Sequence, residues 1–226
     1  MYKLAVFALG LTASSLLVAQ NKMDERLQES ATVLQTVLTE GHTTLPVPVL
    51  QESRCIAIFP SVKKVAIGFG GSYGRGVLVC RKGANMKGAW GAPAMYALDQ
   101  GSFGAQFGSN ATDIVLAILT DAAANKIIEG GNKLGSSASV AAGPTGAMTC
   151  AFSPQADVLT YTRSRGVFAG VALSGVSLDS DNDANKKVYG KEMSARDIVT
   201  SDMEIVPAAR PLVDLLNKTS PAGNTY

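Results

Sequence analysis

Residues 55–80 read CIAIFPSVKKVAIGFGGSYGRGVLVC, and this stretch decides the fold. Its apolar runs at 55–59, 64–69 and 76–80 have the length and the β-branched and aromatic content typical of strands, and glycines break them apart. In the middle run Val and Ile alternate with Ala and Gly, which leaves one strand face poor in side chains. Such a face allows close approach by another backbone, a helix or a ligand. The stretch therefore predicts neighbouring strands joined by glycine-rich turns.

Further apolar runs extend this pattern along the chain. They predict strands at residues 94–98, 103–107, 113–119, 138–142, 147–152, 158–163 and 167–173. Helices that could cross over between successive strands are mostly missing, so the sheet should be dominantly antiparallel. The predicted fold class is α+β, with an antiparallel β sandwich or barrel and a few flanking helices.

Helical signals are confined to a few segments. Residues 23–38 place Leu27, Leu34 and other apolar side chains on one stripe of an amphipathic helix, which the prolines at 46 and 48 should end. Thr120 is placed to cap a helix that Gly130 stops, and a short helix is expected at 185–189. Ser194 and Pro207 are placed to open two more.

The N-terminus has the pattern of a secretory signal, with one basic residue, an apolar stretch and Ala19 at the cleavage position. The apolar stretch is shorter than the roughly 20 residues that span a bilayer. We expect an exported protein, periplasmic or extracellular and peripheral to a membrane. The predicted organisation is a signal peptide at 1–19, an amphipathic helix and linker at 20–50, a binding domain at 51–217 and a flexible tail at 218–226.

Composition narrows the class of function. The chain has 226 residues, 46% hydrophobic and 17% charged, which is typical of one globular domain. A net charge of +2 gives no global field of the kind that general nucleic-acid binders use, so no nucleic-acid partner is expected. Export would allow one disulfide among Cys55, Cys80 and Cys150, and the sequence does not choose the pair. Alternatively, the cysteines are buried apolar side chains within strands.

Patterns that resemble catalytic or cofactor sites lack their essential neighbours. Ser72 lies in a Gly-x-Ser-x-Gly pattern, but a strand-like run follows it where a hydrolase needs a helix, and the single histidine, His42, precedes it. The glycine-rich segment also has no helix behind it to face phosphates. We predict no catalytic residue and no cofactor.

Metal ligands are likewise not grouped in the sequence. One histidine and three scattered cysteines give no paired ligand spacing. Asp179, Asp181 and Asp183 begin like a calcium loop, but Ala184 and Gly190 stand where that loop needs glycine and glutamate. We predict a solvated acidic turn that caps a helix, and no metal site.

Positive charge is gathered locally, which is what an anionic ligand requires. Arg163 and Arg165, two apart on a strand, would lie about 6.6 Å apart on one face, where both could bind phosphate. Alternatively, these are ordinary solvating surface charges. The candidate headgroup-binding residues are Lys63, Lys64, Arg75, Arg81, Lys82, Arg163 and Arg165.

The order of several motifs resembles the SYLF domain over residues 27–215. The motifs are CIAIFP at 55–60, GFGGSYGRG at 68–76, WGAP at 90–93, GSFGAQFG at 101–108, TDIVL at 112–116, KLG at 133–135, SVAAGP at 139–144 and YTRSRGVFAG at 161–170. The resemblance implies non-enzymatic binding of membrane lipids, with phosphatidylinositol lipids bound by eukaryotic members and actin by yeast relatives. For an exported member, anionic envelope phospholipid is the expected partner. The alternative is an envelope structural or protein-interaction module, whose protein partner stays open.

Overall fold

The computed structural model describes residues 3–39, 45–65, 71–83, 85–100, 111–143, 156–164, 167–170 and 175–222. Within these ranges, side chains are described from Asn21 onward, apart from those at 64, 65, 71, 100, 132, 164 and 167–170. The helices are α1 Lys3–Thr39, α2 Val47–Glu52, α3 Asp121–Glu129, α4 Asn182–Tyr189, α5 Ala195–Thr200 and α6 Arg210–Thr219, with a 3-10 turn at Pro207–Ala209. The strands are β1 Cys55–Val65, β2 Gly71–Cys80, β3 Ala94–Gln100, β4 Thr112–Ile118, β5 Asn132–Lys133, β6 Val140–Ala142, β7 Val158–Ser164, β8 Val167–Gly170 and β9 Val176–Ser180.

The described strands form one sheet in the order β5-β9-β3-β2-β1-β4-β7-β6, with β8 also paired to β7. Each pairing is antiparallel except that of β6 with β7. The sheet curls into a half-barrel flanked by helices. The predicted α+β class and its dominantly antiparallel sheet are confirmed.

Helices cover both faces of this sheet. Because side chains alternate along a strand, Val77 and Val79 of β2 pack with α1, α2, α4 and α6, whereas Leu78 and Cys80 pack with α3 and α5 on the opposite face. We call these the α1 face and the α3 face. The hydrophobic core therefore lies in two layers, one on each side of the sheet.

The predicted helix starts and stops are confirmed where capping residues signal them. The Thr120 hydroxyl accepts a hydrogen bond from Ala123 N at the start of α3, and Gly130, at φ 80°, ends that helix. Ser194 likewise caps α5. The prolines at 46 and 48 do not end α1, which stops at Thr39; they lie at the start of α2, where proline is favoured.

Asp157 ties the start of α3 to the edge of the sheet. Its carboxylate accepts hydrogen bonds from Ser139 N at 2.9 Å, Ser139 Oγ at 2.7 Å and Thr120 Oγ1 at 2.8 Å. The backbone and hydroxyl bonds from Ser139, followed by the bond from Thr120, hold the pKa of Asp157 below its ordinary value.

Glycine in β2 makes room for an irregularity in β1. The β1–β2 register shifts between Ile58 and Lys63, and a Cβ on Gly76 would lie 2.0 Å from the Ile58 carbonyl oxygen. No side chain fits there, so at this position the protein's own backbone fills the space above the glycine. The strand predicted at 64–69, in which large apolar side chains alternate with Ala and Gly, lies outside the described residues beyond residue 65.

A disulfide joins Cys55 to Cys80, which stand opposite each other at one end of the β1–β2 pair. The sequence left this pairing open, and Cys150 lies outside the described residues. We call this the disulfide end of the sheet, and the opposite end, where Lys63 pairs with Tyr73, the patch end.

Some elements differ from the sequence expectations. α2, β5 and β9 were not predicted. Residues 218–222 do not form the start of a flexible tail, because α6 runs to Thr219 and Ser220 is fully buried. The strands predicted at 103–107 and 147–152 lie outside the described residues. In the described part of the chain, no helix combines the length and hydrophobicity needed to cross a bilayer.

Candidate functional site

An exposed group of three side chains occupies the α1 face at the patch end of the sheet. Tyr73 and Arg75 lie on the same side of β2 as Val77, and Lys63 of β1 stands directly opposite Tyr73. Tyr73 is 40% exposed, a high value for a large aromatic residue in a strand, and Lys63 is exposed. The Arg75 guanidinium lies 5.5 Å from the centre of the Tyr73 ring. We call these three residues the aromatic-basic patch.

A buried carboxylate holds Arg75 in place. Asp181, whose side chain is only 7% exposed, accepts hydrogen bonds from Arg75 and, at 3.4 Å, from Arg26 of α1. Partial burial lowers the pKa of Arg75, but the charge and hydrogen bond of Asp181 outweigh it and raise the pKa above its ordinary value. Burial lowers the pKa of Arg26 below its ordinary value. Asp181 opposes this shift, and the positive charge of Arg75 adds to it. One carboxylate thus binds two cations and links α1 to β2.

Arg163 lies on the same face at the same end, two strands from Lys63. Its guanidinium is 3.7 Å from Asp113, which faces it across the β4–β7 pair. Asp113 also accepts a hydrogen bond from Ser61 N at 2.9 Å, within the irregular part of β1. Two strand spacings of about 4.8 Å and an offset of two residues along the strands put Arg163 about 12 Å from Lys63.

Cations and carboxylates are interspersed at the patch end. Asp99 stands exposed opposite Tyr73, and Asp179 stands exposed opposite Ala97, the residue that itself faces Arg75. The cations are Arg26, Lys63, Arg75 and Arg163, and the carboxylates are Asp99, Asp113, Asp179 and Asp181. The arrangement presents an exposed ammonium and an exposed guanidinium beside an aromatic ring.

Two other predicted residues lie elsewhere, about 20 Å along β2 at roughly 3.3 Å per residue. Arg81 is only 4% exposed, and its guanidinium donates to the carbonyls of Ser53, Gly88 and two C-terminal residues. Its assignment to a headgroup-binding surface is corrected, because those bonds use its donors inside the protein. Lys82 pairs with Asp202 at 2.9 Å. The side chains of Lys64 and Arg165 lie outside those described.

The structure also positions the residues of the rejected motifs. Ser72 lies inside β2 and is 6% exposed, not on a turn between strand and helix. Asp179 accepts a hydrogen bond from Gly131 N. The prediction of a solvated turn is wrong for Asp181, because its carboxylate caps α4 and binds arginines. No grouping of metal ligands occurs within the described ranges.

Sequence reasoning missed Arg26, Tyr73 and Asp181. Tyr73 carried a usable signal, since it is two residues from Arg75 and therefore on the same strand face. Asp181 carried none, because its two cationic partners are 155 and 106 residues away in sequence.

Comparison with known proteins gives a consistent picture. A family model named Ysc84 and described as "Las17-binding protein actin regulator" matches residues 99–219. The chain is 32% identical over 178 residues to Protein YSC84 of Saccharomyces cerevisiae, covering 76% of this chain and 37% of that protein. It is 33% identical over 178 residues to LAS seventeen-binding protein 3 of the same yeast, with 76% and 38% covered.

A human relative is similar to the same extent. SH3 domain-containing YSC84-like protein 1 of Homo sapiens is 32% identical over 177 residues, covering 76% of this chain and 51% of that protein. The chain therefore spans between about a third and a half of the length of these relatives. No solved structure matches the chain.

Proposed function

Since the chain belongs to the Ysc84 family, whose domain is also called SYLF, we propose that it is a non-enzymatic module that binds anionic phospholipid headgroups through the aromatic-basic patch. The family description and the name of one yeast relative both state binding to Las17, and binding is the role that the family supports. The observation that carries the lipid proposal is an exposed Tyr73 flanked on one strand face by Lys63 and Arg75.

The chemistry of the patch suits a membrane surface. Tyrosine rings with a polar tip settle at the boundary between headgroups and acyl chains. A guanidinium has five N–H donors, so the bond of Arg75 to Asp181 orients the group without exhausting it, and its side chain is 47% exposed. Lys63 adds a point charge that has no ion pair among the described residues.

The expected strength is modest. A lysine or arginine near an anionic membrane surface contributes about 1 kcal/mol. Lys63 and Arg75 together would then contribute about 2 kcal/mol, or about 30-fold in affinity. The neighbouring carboxylates keep the attraction local, so binding should weaken as salt rises.

Vesicle cosedimentation tests this proposal. Vesicles with phosphatidylglycerol should recover the protein better than vesicles of phosphatidylcholine alone, and the Lys63→Gln/Arg75→Gln double variant should bind the anionic vesicles about 30-fold more weakly. Lys187→Gln/Lys191→Gln, which removes two exposed charges from the α4 region, is the matched control. Equal recovery on both vesicle types, or equal losses in both double variants, would contradict the proposal.

We also propose that the protein is exported after cleavage near Ala19, which would make envelope phospholipid its ligand. One observation supports this: a disulfide such as Cys55–Cys80 persists in oxidising compartments. Intact mass of the protein recovered from its native cells should lack residues 1–19; a full-length mass would refute cleavage.

A protein-interaction role is the second candidate, favoured by the family description and by the name of LAS seventeen-binding protein 3. Exposed tyrosine and arginine are enriched at protein interfaces, and the patch offers both. Crosslinking in native cells that captures one defined protein, and that Tyr73→Ala abolishes, would support this role if vesicles leave the purified protein unbound.

A further inference from the structure

A second cationic site lies at the disulfide end of the sheet, about 20 Å from the aromatic-basic patch. It is a cavity of ≈ 380 Å³ whose lining includes Glu52, Arg54, Arg81, Lys87, Pro221 and Ala222. The charged residues come from the end of α2, the start of β1, the end of β2 and the turn that follows it. The cavity thus forms where the disulfide-bonded strand ends meet the C-terminal segment.

Arg81 gives the cavity a fixed positive charge. It is 4% exposed, and its guanidinium donates only to uncharged acceptors, among them Ser53 O at 3.1 Å and Ser220 O at 3.2 Å. No carboxylate lies within ion-pair distance of it among the described residues, although buried charges are normally paired. Burial lowers the pKa of Arg81, Arg54 lowers it further, and Glu52 opposes them.

Arg54 and Lys87 bring two further cations to the cavity. Arg54 donates to Asp121 at 2.6 Å and to the Glu52 carbonyl at 3.0 Å, and its side chain is 18% exposed. Lys87 is exposed and has neither a hydrogen bond nor an ion pair within the described ranges. Three cations against Glu52 and Asp121 leave one positive charge in excess, beside an open cavity.

We propose that this cavity binds a small phosphate-bearing anion. Lys87 and Arg54 are the direct ligands, and Arg81 acts as a buried positive charge that strengthens both contacts. A guanidinium and an ammonium together match the tetrahedral, multiply accepting phosphate group. At about 30 Å³ per water, the cavity has room for roughly twelve waters, enough for a phosphate group with a short organic substituent.

Trp90 provides a direct readout. It is the single tryptophan of the chain, and its ring lies 4.4 Å from the Arg81 guanidinium that lines the cavity. Titration with inorganic phosphate or glycerol phosphate should change its fluorescence saturably, while potassium chloride at equal ionic strength should not. Calorimetry repeats the titration without depending on the fluorophore.

Variants identify the ligands. Lys87→Gln, in an exposed turn, should weaken phosphate binding about tenfold while leaving the urea midpoint unchanged, and Arg54→Gln should weaken it comparably. Lys187→Gln removes an exposed charge elsewhere and should bind as the parent does. If phosphate produces no saturable signal in either method, or if the Lys87 and Arg54 variants bind as tightly as the parent, the proposal is overturned.

Vesicles containing phosphatidic acid distinguish the source of the phosphate. If the ligand is a lipid headgroup, Lys87→Gln should lower vesicle binding and free phosphate should compete. If it is a soluble phosphate ester, phosphate should bind, and the Lys87→Gln variant should be recovered with vesicles to the same extent as the parent. Both results uphold the cavity as a phosphate site, and neither depends on the aromatic-basic patch, whose failure would appear in the Lys63→Gln/Arg75→Gln variant instead.

Discussion

Arg81→Met tests whether one buried guanidinium holds the disulfide end of the sheet to the C-terminus. The parent side chain donates hydrogen bonds to five acceptors: Ser53 O, Gly88 O, Pro221 O, Ser220 O and Ser220 Oγ. Methionine has a similar length and packs against apolar groups, but it donates nothing. The acceptors then lose their partner while staying where they are.

The magnitude follows from which acceptors have no replacement. Ser220 O keeps the hydrogen bond from Trp90 Nε1 at 3.0 Å, and the carbonyls of Gly88 and Pro221 are only partly buried, so water can reach them. Ser53 O and Ser220 Oγ are buried and lose this donor. At about 1–3 kcal/mol for each buried group left unsatisfied, the expected loss in free energy of unfolding is about 4 kcal/mol.

Urea denaturation measures that loss. With a slope of about 2.5 kcal/mol per molar for a domain of this size, the midpoint should fall by about 1.5 M. Arg210→Met, at an exposed position of α6, should change stability by less than about 0.5 kcal/mol. If the Arg81→Met midpoint falls no further than that of this control, the hydrogen bonds of Arg81 do not stabilise this end of the sheet. Arg81→Lys keeps the charge but lacks the planar guanidinium, so its midpoint should lie between those of the parent and Arg81→Met.

Three more changes test other features of the fold. Gly76→Ala should lower the free energy of unfolding by about 3 kcal/mol or more, because its Cβ would lie 2.0 Å from a β1 carbonyl oxygen. Gly91→Ala, whose Cβ would have its nearest contact at 3.4 Å, is the control. Equal urea midpoints for the two variants would refute the close approach at Gly76. The Cys55→Ala/Cys80→Ala variant removes the bond that closes a 25-residue loop. Its free energy of unfolding should be about 3.5 kcal/mol lower by the chain-entropy relation, and reductant should not lower it further. An unchanged urea midpoint would argue against the disulfide. Asp157 has a lowered pKa in the folded state, so the stability it contributes is present above the ordinary value of 3.8 and is lost as pH falls through the lower folded value. The difference between parent and Asp157→Asn in unfolding free energy should be full at pH 6 and narrow below pH 3.8, and a difference that stays constant to acid pH would contradict this.

Local signals were enough to predict much of the fold. The hydroxyl of Thr120 and the positive φ of Gly130 act within their own helix, so α3 could be placed from the sequence. The apolar runs of β1 and β4 are long enough to be recognised alone. β9 is short and ends in polar residues, and it is a strand because β3, some 80 residues earlier, pairs with it. Such pairing leaves no mark on the local pattern.

The candidate site shows the same division between local and distant causes. Arg75 lies in β2 and Arg81 follows directly after its last residue, six positions later, and nothing in their sequence neighbourhood distinguishes them. Arg81 is buried because Ser220, 139 residues later, returns to cover it. Arg75 keeps a half-exposed side chain, and Asp181, 106 residues away, orients it. Sequence reasoning could gather the cations but could not tell which of them reach solvent.

The contact between the last described residues and β2 also determines where the polypeptide leaves the domain. Pro221 and Ala222 form part of the cavity rim, so a purification tag, a linker or a fused fluorescent protein appended after them would begin its path at the cavity entrance. An attachment before α1 would precede Arg26, which contacts Asp181 beside Arg75 and not the cavity. For titrations with phosphate, the choice of fusion terminus is therefore part of the experiment: an N-terminal or traceless arrangement keeps the entrance clear, and a C-terminal one would compete for it.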